Sequence, residues 1–169
     1  MTNDEIINKV TNSGLVTLNL EDFRPVGQRI GFDLKQNLFM NQILREKEFR
    51  EFLKNHEWTV YQDKHVHIFC SEDVIIPTWA YMLLTTKLQA YASTIVMGSE
   101  QDLETKLYSQ ELEKIDLENY KNARVVVKGC SKEAVPTPVY VEITKILQPI
   151  ALSIMFGEPC STVPVFKRK

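Results

Sequence analysis

Cysteine is scarce in this chain of 169 residues: only Cys70, Cys130 and Cys160 occur, and no two of them form a Cys-x-x-Cys pair. That spacing excludes a zinc ribbon and a thioredoxin-type redox pair, and an odd, dispersed set gives no secreted disulfide framework. The six glycines form no glycine-rich phosphate loop, and neither G-x-S-x-G nor H-E-x-x-H is present, so the usual signs of nucleotide binding, hydrolase and zincin chemistry are missing. Positive charge is not in excess, with 20 Lys and Arg against 22 Asp and Glu for a net charge of −2. Without surplus cations to displace counterions, or aromatics interleaved with Arg, no nucleic acid is expected as a partner. There is no long apolar run either. The longest weakly charged stretch, Val74 to Ser99, is broken by Pro77 and Lys87, which suits a buried helix and strand rather than a membrane span. The opening Met1-Thr2-Asn3-Asp4-Glu5 is acidic and polar, unlike a secretory signal. The expected setting is therefore reducing cytoplasm, with no membrane.

What is present is ordinary globular composition, 44% hydrophobic and 25% charged, enough for one domain over residues 1–169 with a single core. Asn3 to Asn12 has Ile6, Ile7 and Val10 at helical spacing and ends at Gly14. Leu15 to Leu20 and Arg29 to Lys35 alternate apolar and polar residues, as half-buried strands do, with Pro25 and Gly27 turning between them. Strands are then predicted at 39–44, 66–69, 95–97, 125–128 and 153–156, and helices at 46–56, 77–91, 102–115 and 136–150. Short β-branched runs alternating with amphipathic helices indicate an α/β fold, with a mainly parallel sheet and helices on both faces. Residues 1–43 read as an N-terminal β extension. Residues 158–169 read as a C-terminal tail, with Lys167-Arg168-Lys169 solvated.

The strongest signal is internal: the segment 44–98 aligns with 103–157 at one constant offset. Pro77-Thr78, Tyr81 and Thr85 meet Pro136-Thr137, Tyr140 and Thr144, and Leu88-Gln89, Ala92, Ile95 and Gly98 meet Leu147-Gln148, Ala151, Ile154 and Gly157. A slip of a single position also pairs Cys70-Ser71 with Cys130-Ser131. Convergent apolar patterning explains matches of Leu, Val and Ile, but not Pro-Thr-x-x-Tyr and Leu-Gln-x-x-Ala in the same order. The pattern therefore predicts a tandem duplication of one βα unit, with right-handed crossovers placing both copies in one sheet.

In that arrangement Cys70, Cys130 and Cys160 each follow a strand, and all three thiols reach the carboxyl edge of the sheet, where open α/β folds bind ligands. Helix N-termini at the same edge favour thiolate, the form that metals, iron–sulfur clusters and persulfide chemistry need. The three sulfurs are expected to converge on a zinc or iron ion, with Glu158 as the fourth ligand and Glu72 as the alternative carboxylate. The inert reading is that the cysteines pack as small hydrophobes. His65 and His67 share one strand face, and Cys70 lies at odd spacing from both, so His67 is the weaker candidate ligand; His56 reads as the cap of a helix end. Tyr81 and Tyr140, one turn into matched helices, either point a phenol at the site or pack between helix and sheet.

Four segments carry a family resemblance: His67-Ile68-Phe69-Cys70-Ser71, the run from Val74 to Met82 through Pro77-Thr78-Trp79-Ala80-Tyr81, Val127-Lys128-Gly129-Cys130, and Ile154-Met155-Phe156-Gly157-Glu158-Pro159-Cys160 with Ser161-Thr162-Val163-Pro164. Over nearly its whole length the chain resembles the bacterial family known as domain of unknown function 2480. The resemblance implies no particular activity. It implies a setting beside sulfur-mobilisation (SUF-type) iron–sulfur assembly genes, and hence sulfur, iron or metal handling with iron–sulfur assembly proteins as partners. The leading expectation is a cytoplasmic accessory protein working through the three cysteines. A thiol enzyme or persulfide carrier with one nucleophilic cysteine, and a binding or scaffold module without chemistry, stand beside it.

Overall fold

The structure, a computed structural model, describes residues 14–129 and 134–169. The helix expected at Asn3 to Asn12, and Cys130 itself, lie outside the described residues. In chain order the strands are β1 (Leu15–Asn19), β2 (Arg29–Asp33), β3 (Leu38–Phe39), β4 (Ile43–Leu44), β5 (His65–Phe69), β6 (Thr94–Met97), β7 (Arg124–Lys128), β8 (Ser153–Glu158) and β9 (Ser161–Lys167). The helices are α1 (Glu46–Asn55), α2 (Thr78–Leu88), α3 (Glu100–Leu112) and α4 (Thr137–Leu147). None of the described helices is long and apolar enough to cross a membrane.

The chain is mixed α/β and mostly parallel, but its main strands form two sheets. One has the order β2-β5-β6 with all pairs parallel; the other has the order β1-β7-β8-β9, in which only β9 is antiparallel. The chain divides in the same way into two compact units, Pro25–Leu107 and Met1–Arg24 with Tyr108–Lys169. The expectation of both copies in one sheet is corrected accordingly. Crossover handedness constrains strands that share a sheet; it does not decide whether a later strand joins that sheet or begins another. The N-terminal β extension is split as well: β1 lies parallel to β7, and β2 parallel to β5.

In the unit Pro25–Leu107, β5 alternates Val66 and Ile68 with His65, His67 and Phe69. Val66 and Ile68 join Phe32, Phe49, Leu53, Leu84 and Leu88 in one buried core. Phe49 and Leu53, one turn apart, form the apolar stripe of α1, while its exposed side carries the pairs Arg45–Glu48 and Arg50–Glu46. Helix α2 begins after Pro77, whose φ of −60° and missing N–H suit the cap position. The run expected as one strand, Phe39 to Leu44, is a hairpin of β3 and β4, because Met40 and Asn41 both turn to positive φ (51° and 56°), as a type I′ turn requires.

The other unit shows the same order of parallel pairings, with β7 and β8 standing at one offset from β5 and β6. Val66 pairs with Ile95, and its counterpart Val125 pairs with Ile154, the counterpart of Ile95; Arg29 pairs with His65 as Leu15 pairs with Arg124. Its core holds Tyr108, Leu112, Val125, Val127, Ile143 and Leu147. In that order they are the counterparts, all at the one offset, of Phe49, Leu53, Val66, Ile68, Leu84 and Leu88 in the first core. Thr85 and Thr144 even make the same back-bond, to the carbonyls of Tyr81 and Tyr140.

The units differ after their last parallel strand. Residues 158–169 are not a tail: Ser161–Lys167 is β9, folded back on β8 through the turn Pro159-Cys160. Pro164 breaks the alternation in sequence, and the strand absorbs it beside an irregularity at Ile154/Met155, where Val165 is the extra residue. The basic end is anchored too. The Arg168 N–H donates to the Leu152 carbonyl, and its guanidinium donates to Asn122 Oδ1 and the Pro149 carbonyl. Close approach at the hairpin demands glycine: Gly157 has φ +120°, and a Cβ there would lie 2.7 Å from the Ser161 carbonyl oxygen.

Candidate thiol sites at the strand ends

Parallel strands end on one side of their sheet, which gathers residues distant in sequence. In the unit Pro25–Leu107 that edge brings together Asp33 and Lys35 after β2, and Cys70, Ser71 and Glu72 after β5. Asp33 ties the two loops. Its Oδ1 accepts from the Lys35 N–H (2.9 Å) and the Ser71 N–H (3.0 Å), and its Oδ2 accepts from Ser71 Oγ (2.6 Å). Burial alone would raise the Asp33 pKa; the hydrogen bonds from Ser71 and Lys35, with the Lys35 charge, outweigh it and hold the carboxyl below the usual aspartate value. Lys35 pairs with Glu72 at 2.5 Å, which raises its pKa, and Cys70 lies close enough to push it the same way. Tyr81, in the first turns of α2, is raised by burial and then by Cys70. Cys70 is thus a half-buried thiol at the end of the central strand, beside an ammonium and a phenol, and it packs against the unit's core.

In the other unit the position in register with Cys70 is Gly129. Tyr140, the counterpart of Tyr81, donates its hydroxyl to the Gly129 carbonyl at 3.0 Å. A Cβ on Gly129 would lie 2.9 Å from that hydroxyl and 3.1 Å from both Leu20 Cβ and Val135 Cγ2, so a side chain there would have to displace the Tyr140 hydroxyl and crowd both neighbours. Carried on from the strands, the offset sets Cys70 against Gly129 and Ser71 against Cys130; Cys130 itself lies outside the described residues. Cys160 is exposed in the turn between β8 and β9. Glu158, the expected fourth ligand, is exposed and pairs with Lys128 at 3.6 Å. An apolar groove of about 550 Å³ adjoins Tyr140, with Thr144, Phe156 and Val163 among its walls.

The structure brings Cys70, Asp33, Lys35, Ser71, Glu72 and Tyr81 to one edge. Cys160, Glu158 and Lys128 belong to the other unit. The premise for three converging sulfurs, a single sheet, does not hold. Among the described residues no three His, Cys, Asp or Glu side chains are grouped to hold a metal ion, and Cys130 lies outside them. Asp33 and Lys35 carry no sequence signal of a site: they close an alternating strand, and only the long-range pairing of β2 with β5 brings them beside Cys70.

The histidines have structural duties. His65 is buried; its Nε2–H donates to the Val26 carbonyl at 2.9 Å, leaving Nδ1 to accept from Thr94 Oγ1 at 3.2 Å. His67 donates Nδ1–H to the Gly98 carbonyl at 3.2 Å and stacks on Phe69. Gly31 makes room for it, since a Cβ there would lie 2.9 Å from His67 Nε2. His56 is the C-cap of α1, as its place in sequence suggests, and sits 4.7 Å from the ring centres of both Phe52 and Trp58. Burial lowers its pKa.

Fold and site together define a mixed α/β protein with parallel sheets and a half-buried thiol at the carboxyl end of one central strand. The chain belongs to the family described as protein of unknown function (DUF2480), whose model matches residues 4–168. No curated protein and no solved structure matches it.

Proposed function

We propose that this protein is a cytoplasmic accessory of sulfur handling in the setting of iron–sulfur assembly, with Cys70 as its working thiol. The observation that carries the reading is the placement of Cys70 at the end of β5, beside Lys35 and Tyr81. Thiolate is the nucleophilic form of cysteine, and the sheet edge leaves Cys70 partly accessible. The thiolate attacks the outer sulfur of a donor persulfide. A new S–S bond forms on Cys70 as the donor's S–S bond breaks, and the donor leaves as a thiolate, so no external oxidant or reductant is needed. Iron–sulfur assembly proteins are the proposed donors and acceptors.

The metal reading gathers Cys70, Cys130, Cys160 and Glu158 around zinc or iron; the scaffold reading leaves all three thiols inert. Intact-mass analysis after incubation with a cysteine desulfurase and cysteine, beside elemental analysis of untagged protein, separates the three. The carrier gains sulfur on Cys70 and carries no stoichiometric metal; metal in stoichiometric amount, or no sulfur gain, rejects it. For the architecture we propose a tandem duplication of one βα unit, with helices on both faces of the parallel sheets. The matched register and the matched core positions support the duplication.

A further inference from the structure

The carboxyl end of β2 opens into a cleft whose walls do not include Cys70. The cleft has a volume of about 590 Å³ and is walled by the strand end, by Leu38 and Asn41 of the β3–β4 hairpin, and by Tyr61. Open α/β sheets bind small ligands at this edge, and several polar groups here are unused. Tyr61 is only 6% exposed, wedged among the rings of Phe32, Trp58 and His56. Its hydroxyl has no hydrogen-bond partner among the described residues, yet the oxygen is not sealed from solvent, so it opens into the cleft that Tyr61 lines. A phenol on a ring this buried normally finds a partner. The side-chain amides of Gln36 and Asn41, also in the walls, have none among the described residues either. The Gln28 carbonyl accepts from the His65 N–H, so Ile30 bonds towards β5 and the N–H and C=O of Gly31 face the open side.

We infer that this cleft is a binding site for a small zwitterion, an α-amino acid held by its head group. Two opposite charges in the walls, Lys35 and Asp33, select that chemistry. The Lys35 ammonium has three donors and gives one to Glu72, which leaves two for a ligand carboxylate. The Asp33 carboxylate has about four acceptor positions. The Lys35 N–H, the Ser71 N–H and Ser71 Oγ fill three of them, which leaves one on Oδ2 for a ligand ammonium. These bonds fix both charged groups before a ligand arrives, so little ordering entropy is lost on binding. A ligand with a single charge would leave one of the two unmatched. The Tyr61 hydroxyl and the Gln36 and Asn41 amides serve the remaining head-group atoms, and Leu38 offers an apolar wall to a short side chain. At the matching strand end of the other unit the same positions hold Asn19 and Glu21, so that end lacks the Asp–Lys pair. The inference goes beyond the reading of Cys70 as a working thiol and does not depend on it.

Isothermal titration calorimetry of the full chain with L-methionine, a zwitterion without a free thiol, tests the inference. Saturable one-to-one binding is expected, unchanged in Cys70→Ser. The decarboxylated amine and the deaminated acid of the same side chain should each bind at least about tenfold more weakly, since each lacks a charged hydrogen-bonding partner. Lys35→Gln should weaken methionine binding about tenfold. Tyr61→Phe deletes an oxygen that holds nothing in the fold; it should weaken binding about fivefold and leave the unfolding midpoint where it was. No saturable binding at millimolar probe overturns the inference. So does equal binding of the three compounds, and so does an affinity that ignores Lys35→Gln and Tyr61→Phe. Binding lost in Cys70→Ser would place the probe at the thiol and overturns it as well. If Lys35→Gln alters the far-ultraviolet circular dichroism, the two analogues and Tyr61→Phe decide.

Discussion

Glu104→Gln should be among the most damaging single-atom-scale changes on the surface of α3. Arg29 on β2 donates Nε–H to Glu104 Oε1 at 2.6 Å and an Nη2–H to Oε2 at 3.2 Å, while Nη1 donates to the Gly27 carbonyl at 2.6 Å. The two side chains are only 10% and 13% exposed. Neutralising the carboxylate leaves a largely buried guanidinium without its counter-charge, and breaking such a pair costs about 3–5 kcal/mol. That is a large part of the roughly 5–15 kcal/mol that stabilises a domain. Glu48→Gln provides the control, because Arg45–Glu48 has the same chemistry with both partners about half exposed; its loss should cost under about 1 kcal/mol. Urea unfolding followed by tryptophan fluorescence reports the right unit, since Trp58 and Trp79 both lie in Pro25–Leu107. The double variant Arg29→Met/Glu104→Leu should recover most of the loss, because an apolar pair leaves no charge unmatched. Equal costs for Glu104→Gln and Glu48→Gln, or a double variant as unstable as the single, would refute the reasoning.

Gly157→Ala should destabilise the β8–β9 hairpin by at least about 2 kcal/mol, from positive φ plus the clash with the Ser161 carbonyl. Gly14→Ala, with φ +64° and no atom within 4 Å of the added Cβ, should cost only about 1 kcal/mol; similar values in thermal melts would remove the clash from the account. His56 titrates in the opposite sense from a paired histidine. Burial lowers its folded pKa below the ordinary 6.5, so its contribution is complete above that value and is lost as pH falls through it. Replacing His56 by Phe should flatten the stability profile between about pH 7 and pH 5, and an unchanged slope in urea titrations would assign the dependence elsewhere. Tyr140→Phe removes the bond to the Gly129 carbonyl and should cost about 1 kcal/mol, read by the same unfolding curves.

The elements were legible because their periods were clean. β5 and β7 are short β-branched runs, α2 and α4 each follow a proline, and the single offset that takes Val66 to Val125 carries register and core positions alike. Sheet membership was not legible. Nothing local distinguishes a β7 that extends the first sheet from one that pairs with β1, because that choice rests on contacts between segments near opposite ends of the chain. β9 was hidden by Pro164 and the closing basic residues, which look like a tail until the irregularity beside Met155 absorbs the proline. The same limit governed the site. Cys70 could be placed at a strand end by sequence alone, but Lys35 and Asp33 reach it only through the pairing of β2 with β5, and Cys130 lies outside the described residues.

Peptide-level mass spectrometry of protein incubated with a cysteine desulfurase and cysteine is the most direct test of the working thiol. The placement of Cys70 beside Lys35 and Tyr81 predicts one added sulfur atom on the Cys70 peptide, abolished by Cys70→Ser, weakened by Lys35→Met and retained in Cys160→Ser. Sulfur spread equally over all three cysteines, or found on none, would contradict it.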